Sequence, residues 1–182
     1  MIDYKIIADS ITYYADKGFK RIESPWTVSE KADNITRPTD RIPFQLKHND
    51  KCLVASGEQS FLYLMIKGFL PEGKFQTITP CFRYEPFDPY HTKYFMKNEL
   101  IITDDVSTRQ LTRMISEAAE FYQQYFKEEV ISRVTADGVD LEVKGHELGS
   151  YGIRKHEYLH WIYGTGCAEP RMSNLIKLYG IS

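Results

Sequence analysis

Apolar positions recur at helical spacing in three stretches of the chain. Ile7, Ile11 and Tyr14, with Ile6 beside them, predict a helix over residues 2–17, and Gly18 suits its stop. Phe61, Leu62, Met65 and Ile66 share one side of a second helix that opens at Ser56-Gly57-Glu58-Gln59 and ends at Gly68. Leu111, Met114, Ile115, Ala118, Phe121, Tyr122 and Tyr125 form the widest apolar stripe, predicting a helix over 107–129 with Ser107 as N-cap. That stripe is core.

Strand patterns fill much of the remainder. They run over Phe19–Ser24 (closed by Pro25), Lys51–Ser56, Phe75–Glu85, Lys93–Thr103, Val139–Val143 and Tyr158–Tyr163. The PFDPYHT segment between the third and fourth reads as a hairpin loop, and Asp137-Gly138 as a turn. Residues 27–50 are polar, carry two prolines and show no clear period; they read as a loop with one short strand at most.

Composition narrows the picture. A chain of 182 residues, 42% hydrophobic and 26% charged, fits one globular domain over 1–182. A net charge of −2 and no Lys/Arg-rich run give no sign of a broad nucleic-acid surface. Apolar runs fall short of a membrane span, and the N-terminus has no signal-peptide pattern. Cys52, Cys81 and Cys167 are odd in number, far apart and without a CxxC pair, which favours free thiols in a reducing, cytoplasmic setting over a zinc site.

Candidate chemistry concentrates on the hairpin. Alternation puts Arg83 and Glu85 on one face of the outgoing strand, Phe82 and Tyr84 on the other, and Phe95, Lys97 and Glu99 together on the return strand. An arginine fork, a carboxylate and a ring so placed can hold a nucleotide; the same spacing also describes a cross-strand Arg–Glu pair on a solvated face. A second cluster lies in GHELGSYGIR, residues 145–154, where three glycines accompany Glu147, Ser150 and Arg154. Strict alternation sets Glu147 and Arg154 on opposite faces, so a bulge at a glycine is needed for both to reach one ligand. Beyond it, GTGCAEPR reads as a glycine turn from strand into a helix begun by Arg171, with Pro170 in the first turn.

These stretches together resemble the class II aminoacyl-tRNA synthetase catalytic core. Phe82-Arg83-Tyr84-Glu85 followed by His91 to Phe95 is similar to motif 2. The helix, Gly18-Phe19 and the strand ending at Pro25 resemble motif 1. Gly164, Gly166 and Arg171 resemble motif 3, with Ala168 at the place of a third glycine and the acid displaced to Glu169.

The resemblance implies an α+β fold, an antiparallel sheet flanked by helices, and ATP-dependent activation of an amino acid with transfer to tRNA or another acceptor. Arg83 and Arg171 are then the catalytic pair. Arg83, Glu85, His91, Phe95, Glu147 and Arg171 bind ATP: Arg83 at the α-phosphate, Glu85 at the adenine amine, His91 near the outer phosphates, and Phe95 stacked on the base. Glu147 helps hold Mg²⁺, and Glu58, Ser150 and Tyr151 lie by the amino acid substrate. A plain acid at a helix N-terminus is the other reading of Glu58. The alternative function is a non-catalytic relative that binds a ligand or regulates a partner. Motif 1 further implies a homodimer, and Ile6, Ile7, Ile11, Tyr13 and Tyr14 are many apolar groups for one helix to cover unaided.

Overall fold

The computed structural model describes residues 1–84 and 94–181. Helix α1 (Tyr4–Asp16) begins at Asp3, whose carboxylate accepts from the amides of Lys5 and Ile6, and ends before Gly18 at φ +91°. Strand β1 (Lys20–Arg21) follows, shorter than the pattern predicts.

Residues 27–50 are not one loop. They hold β2 (Thr27–Ser29), α2 (Glu30–Asn34, capped by Ser29) and β3 (Phe44–Gln45), and β2 and β3 flank β4 (Lys51–Leu53) in a three-stranded sheet. Elements this short have no room to show a period, which is why the polar pattern hid them.

Helix α3 (Gly57–Ile66) is capped by Ser56; β5 (Lys74–Phe82) and β6 (Tyr94–Ile102) then pair antiparallel over their full length. Helix α4 (Thr108–Gln123) stops earlier than expected. The strand β7 (Ile131–Val134) follows, then β8 (Val139–Val143), β9 (His146–His156), β10 (Leu159–Glu169) and α5 (Arg171–Tyr179).

Seven strands form one sheet in the order β1-β5-β6-β10-β9-β8-β7, antiparallel except where β1 pairs with β5. Alternation divides its side chains cleanly. Leu100, Ile102 and Ile162 face the large core under α1, α4 and α5, while Ile101, Trp161 and Tyr163 face the core under α3. The apolar side chains of α1 are largely covered within the chain. Ile6, Ile7 and Tyr14 are buried, Ile11 packs on the same core, and the Tyr13 hydroxyl donates to the Glu117 carbonyl at 2.8 Å.

Strand β10 runs on through the segment expected to turn. Gly164 and Gly166 lie inside it because the core face has no space for a Cβ there. A Cβ at Gly164 would sit 2.5 Å from Met114 Sδ and 2.7 Å from Tyr151 Cδ1, and one at Gly166 would sit 2.9 Å from Tyr14 Cε2.

Two bulges interrupt the ladders. Leu148 is the extra residue of β9 opposite β8, and Gly166 the extra residue of β10 opposite β6. Bulges leave backbone groups off the ladder, and buried ones need other partners. Tyrosine hydroxyls supply them. Tyr14 donates to the Gly166 carbonyl at 3.2 Å, Tyr151 to Thr165 at 2.6 Å, and Tyr122 points at Leu148 and Thr165 at 3.2 and 3.3 Å.

Candidate functional site

On the α3 side of the sheet a cavity of about 340 Å³ opens between the large sheet and the β2–β4 unit. This is the size range of small-molecule sites. Strand β6 supplies Phe95, Lys97 and Glu99 from one face, as alternation requires. The β9 bulge brings Glu147 to the same side as Ser150 and Arg154, meeting the need for an irregularity beside a glycine.

At the end of β5 the alternation stops applying, and Phe82, Arg83 and Tyr84 all line the cavity instead of dividing between faces. Arg83 donates Nε–H to the Ala55 carbonyl at 3.1 Å, and its guanidinium lies over the Phe95 ring, 5.1 Å from the centroid. A flat cation is thus fixed against a ring at the wall.

Another part of the lining comes from α5. Arg171 sits at its first residue and pairs with Glu147 at 2.6 Å. Burial pushes the Glu147 carboxyl up, but Arg171, then Lys97 and Arg83, outweigh it and hold the group below its ordinary value. Glu169, the displaced acid, lies fully buried beneath. It accepts from the Ser173 amide at 2.8 Å and the Asp3 amide at 2.9 Å, tying the start of α5 to the start of α1. Burial raises its pKa.

At the inner end Glu58 is 4% exposed, with one carboxylate oxygen on Arg154 at 2.6 Å and the other on the Trp161 indole N–H at 2.7 Å. Burial raises its pKa, against the pull of Arg154. Arg154 in turn lies over Tyr163, its Cζ 3.9 Å from the ring centroid. Glu58 therefore holds Arg154 in place. Gln59, its neighbour, is structural too. It accepts from the Ala55 amide at 2.8 Å and donates to Asp33 at 2.8 Å.

The cavity therefore brings together Arg83, Phe95, Glu147, Ser150, Arg171 and Glu58. Tyr151 is a correction. It is fully buried on the other face of β9, in the large core, because one residue from Ser150 along a strand reverses the direction of the side chain. Glu85 and His91 lie outside the described residues.

Three groups of cavity residues carry no assigned role in the sequence pattern. Asp33, Arg37 and Arg41 come from the aperiodic 27–50 stretch, where no pattern marks them. Lys97 and Glu99, paired at 3.0 Å, were signalled by their spacing from Phe95. Tyr163 and Thr165 follow the same alternation along β10, once that strand is known to continue. Among the described residues no cluster of three or more metal-ligating side chains occurs, and no helix is long and apolar enough to cross a membrane.

No protein-family model and no curated protein matches the sequence. Solved structures do match the fold. Seryl-tRNA synthetase from Pyrococcus horikoshii, complexed with ATP, superposes with a TM-score of 0.75 at 16% identity, over 96% of this chain and 49% of its own. Pyrrolysyl-tRNA synthetase from Desulfitobacterium hafniense gives 0.73 at 16% identity, over 97% and 70%. The cytoplasmic serine-tRNA ligase from Naegleria fowleri, in complex with AMP, gives 0.66 at 20%, over 89% and 45%. This chain spans about half the length of those seryl enzymes. The fold is that of a class II aminoacyl-tRNA synthetase catalytic domain, a seven-stranded sheet flanked by helices.

Proposed function

We propose that the chain binds ATP in this cavity and uses it to activate the carboxylate of an amino acid or amino acid derivative as an acyl-adenylate, for transfer to a tRNA or another acceptor. The observation that carries the reading is the pair of arginines in one cavity of the matching fold, Arg83 over Phe95 and Arg171 at the start of α5. Phe95 offers a face for adenine, and Arg83 a fork for the α-phosphate. In the step, a carboxylate oxygen attacks the α-phosphorus, the bond to the bridging oxygen of the β-phosphate breaks, and pyrophosphate leaves with that electron pair. No general base is needed, because the nucleophile is already an anion. The chain's own contribution is to position the reactants and to offset charge on the phosphate with Arg83 and Arg171.

Glu147 is the partly exposed carboxylate at the phosphate end, and one carboxylate with phosphate oxygens and water is a donor set that Mg²⁺ takes. Bound there, the ion would supply further neutralisation of the phosphates. The proposal extends to a cytoplasmic homodimer through α1 and β1, as the motif 1 resemblance implies.

Exchange of labelled pyrophosphate into ATP, screened over amino acids and their N-blocked derivatives, tests the reading. Exchange that depends on one acid supports it. ATP binding with no exchange for any acid overturns it and leaves the non-catalytic, ligand-binding relative.

A further inference from the structure

This inference rests on the adenylation reading and concerns which acid the cavity admits. Four carboxylates of described residues line it, and each is already paired with a cation of the chain. Asp33 meets Arg37 at 2.7 Å, Glu58 meets Arg154 at 2.6 Å, Glu99 meets Lys97 at 3.0 Å, and Glu147 meets Arg171 at 2.6 Å. Arg83 adds a cation with no ion pair to a described residue. The described lining therefore receives anions readily and has no carboxylate in waiting for a cation.

The two deep acids are closed most tightly. Glu58 has both oxygens occupied, by Arg154 and Trp161. Glu99, only 1% exposed, accepts from the Ser56 hydroxyl at 2.8 Å on one oxygen and from the Lys97 ammonium on the other. An incoming ammonium has two courses at Glu99. It can displace Lys97, whose side chain is 12% exposed, and strand a desolvated charge in a cavity that already holds Arg83. Or it can share Glu99 with Lys97 and set two like charges against one carboxylate. Glu147 differs, since its side chain is 45% exposed and Arg171 can exchange it for phosphate.

We propose that Lys97 is a specificity-determining residue: its ammonium fills the place on Glu99 that a substrate ammonium would take, so the acid activated is one without a free ammonium, as in an N-acylated amino acid. The carboxylate and its attack on phosphorus are unaffected by this choice; what changes is which acids dwell long enough to react.

The test uses the whole chain and pairs of acids, each amino acid beside its N-acetyl counterpart. Binding is measured by calorimetry with a non-hydrolysable ATP analogue, and reaction by pyrophosphate exchange. For the wild type, the preferred N-acetyl acid should bind about tenfold or more tightly than its free parent. Lys97→Met should reverse or erase that ratio by opening Glu99 to the free amine, while Lys97→Arg should keep it. Tighter binding of the free amino acid by the wild type overturns the proposal, as does a Lys97→Met protein with the wild-type ratio. If Lys97→Met does not fold, Lys97→Gln and the wild-type pairs decide. A binding preference for the blocked acid with no exchange would sink adenylation and leave the specificity inference standing.

Discussion

Arg83 makes few demands on the fold. It lies past the end of β5 and, among the described residues, makes one hydrogen bond, to Ala55, besides its contact with the Phe95 ring. Arg83→Ala should therefore lower the exchange rate by on the order of 10²-fold or more, by analogy with removed oxyanion donors, while the melting temperature barely moves. Phe95→Ala should weaken ATP binding by calorimetry more than it lowers stability in urea; equal losses would mark the ring as core. Glu147 gives a pH signature. Its carboxyl is held below the ordinary 4.5, so its pairing contributes stability above that pH, lost as pH falls through the folded value. Urea unfolding from about pH 6 down to about pH 3 should show a slightly smaller acid loss in Glu147→Gln than in the wild type. At this scale the sequence was readable wherever a strand face fixed direction, as for Phe95, Lys97 and Glu99. It was opaque where partners come from afar. Nothing local to Glu58 announces that Trp161 and Arg154, about a hundred residues on, will close it.

Elements were legible in proportion to their length. Helices α1, α3 and α4 and the β5–β6 pair show their periods plainly, whereas β2, α2 and β3, two to five residues each, cannot. β10 failed for another reason. Its glycines carry no apolar signal, and local chemistry reads them as a turn, yet they are small because Tyr14, Tyr151 and Met114 press on that face. A tertiary neighbour, invisible in sequence, decided the element. Gly164→Ala should consequently cost about 1–3 kcal/mol in urea unfolding, from overpacking rather than from backbone preference. An unchanged midpoint would mean that Met114 and Tyr151 yield freely, and that β10 does not need its glycines.

Across the whole molecule the sheet divides labour by face. One face buries the large core beneath three helices, and the other carries the cavity beneath α3 and the small sheet. That division follows from alternation, and the antiparallel order was legible through its resemblance. The parallel β1–β5 contact was not, since a two-residue strand carries no directional signal. The dimer expectation now stands on narrower ground, because α1 covers most of its apolar side chains within its own chain. Light scattering at micromolar concentration should still give twice the 21.3 kDa mass; a monomer unmoved by ATP removes the dimer.

The tyrosines that satisfy the bulges have an optical consequence. Burial lifts the phenols of Tyr14, Tyr122 and Tyr151 well above 10, so in the native chain they stay protonated where exposed phenols already absorb as tyrosinate. An acid with a raised folded pKa favours the native state less and less once pH exceeds the unfolded value, so alkali must unfold the chain to ionise these three. An alkaline titration followed near 295 nm should then rise in two stages, the second coinciding with loss of circular dichroism. The sheet's irregularities thereby carry their own chromophores, and unfolding of the chain can be followed without any added label.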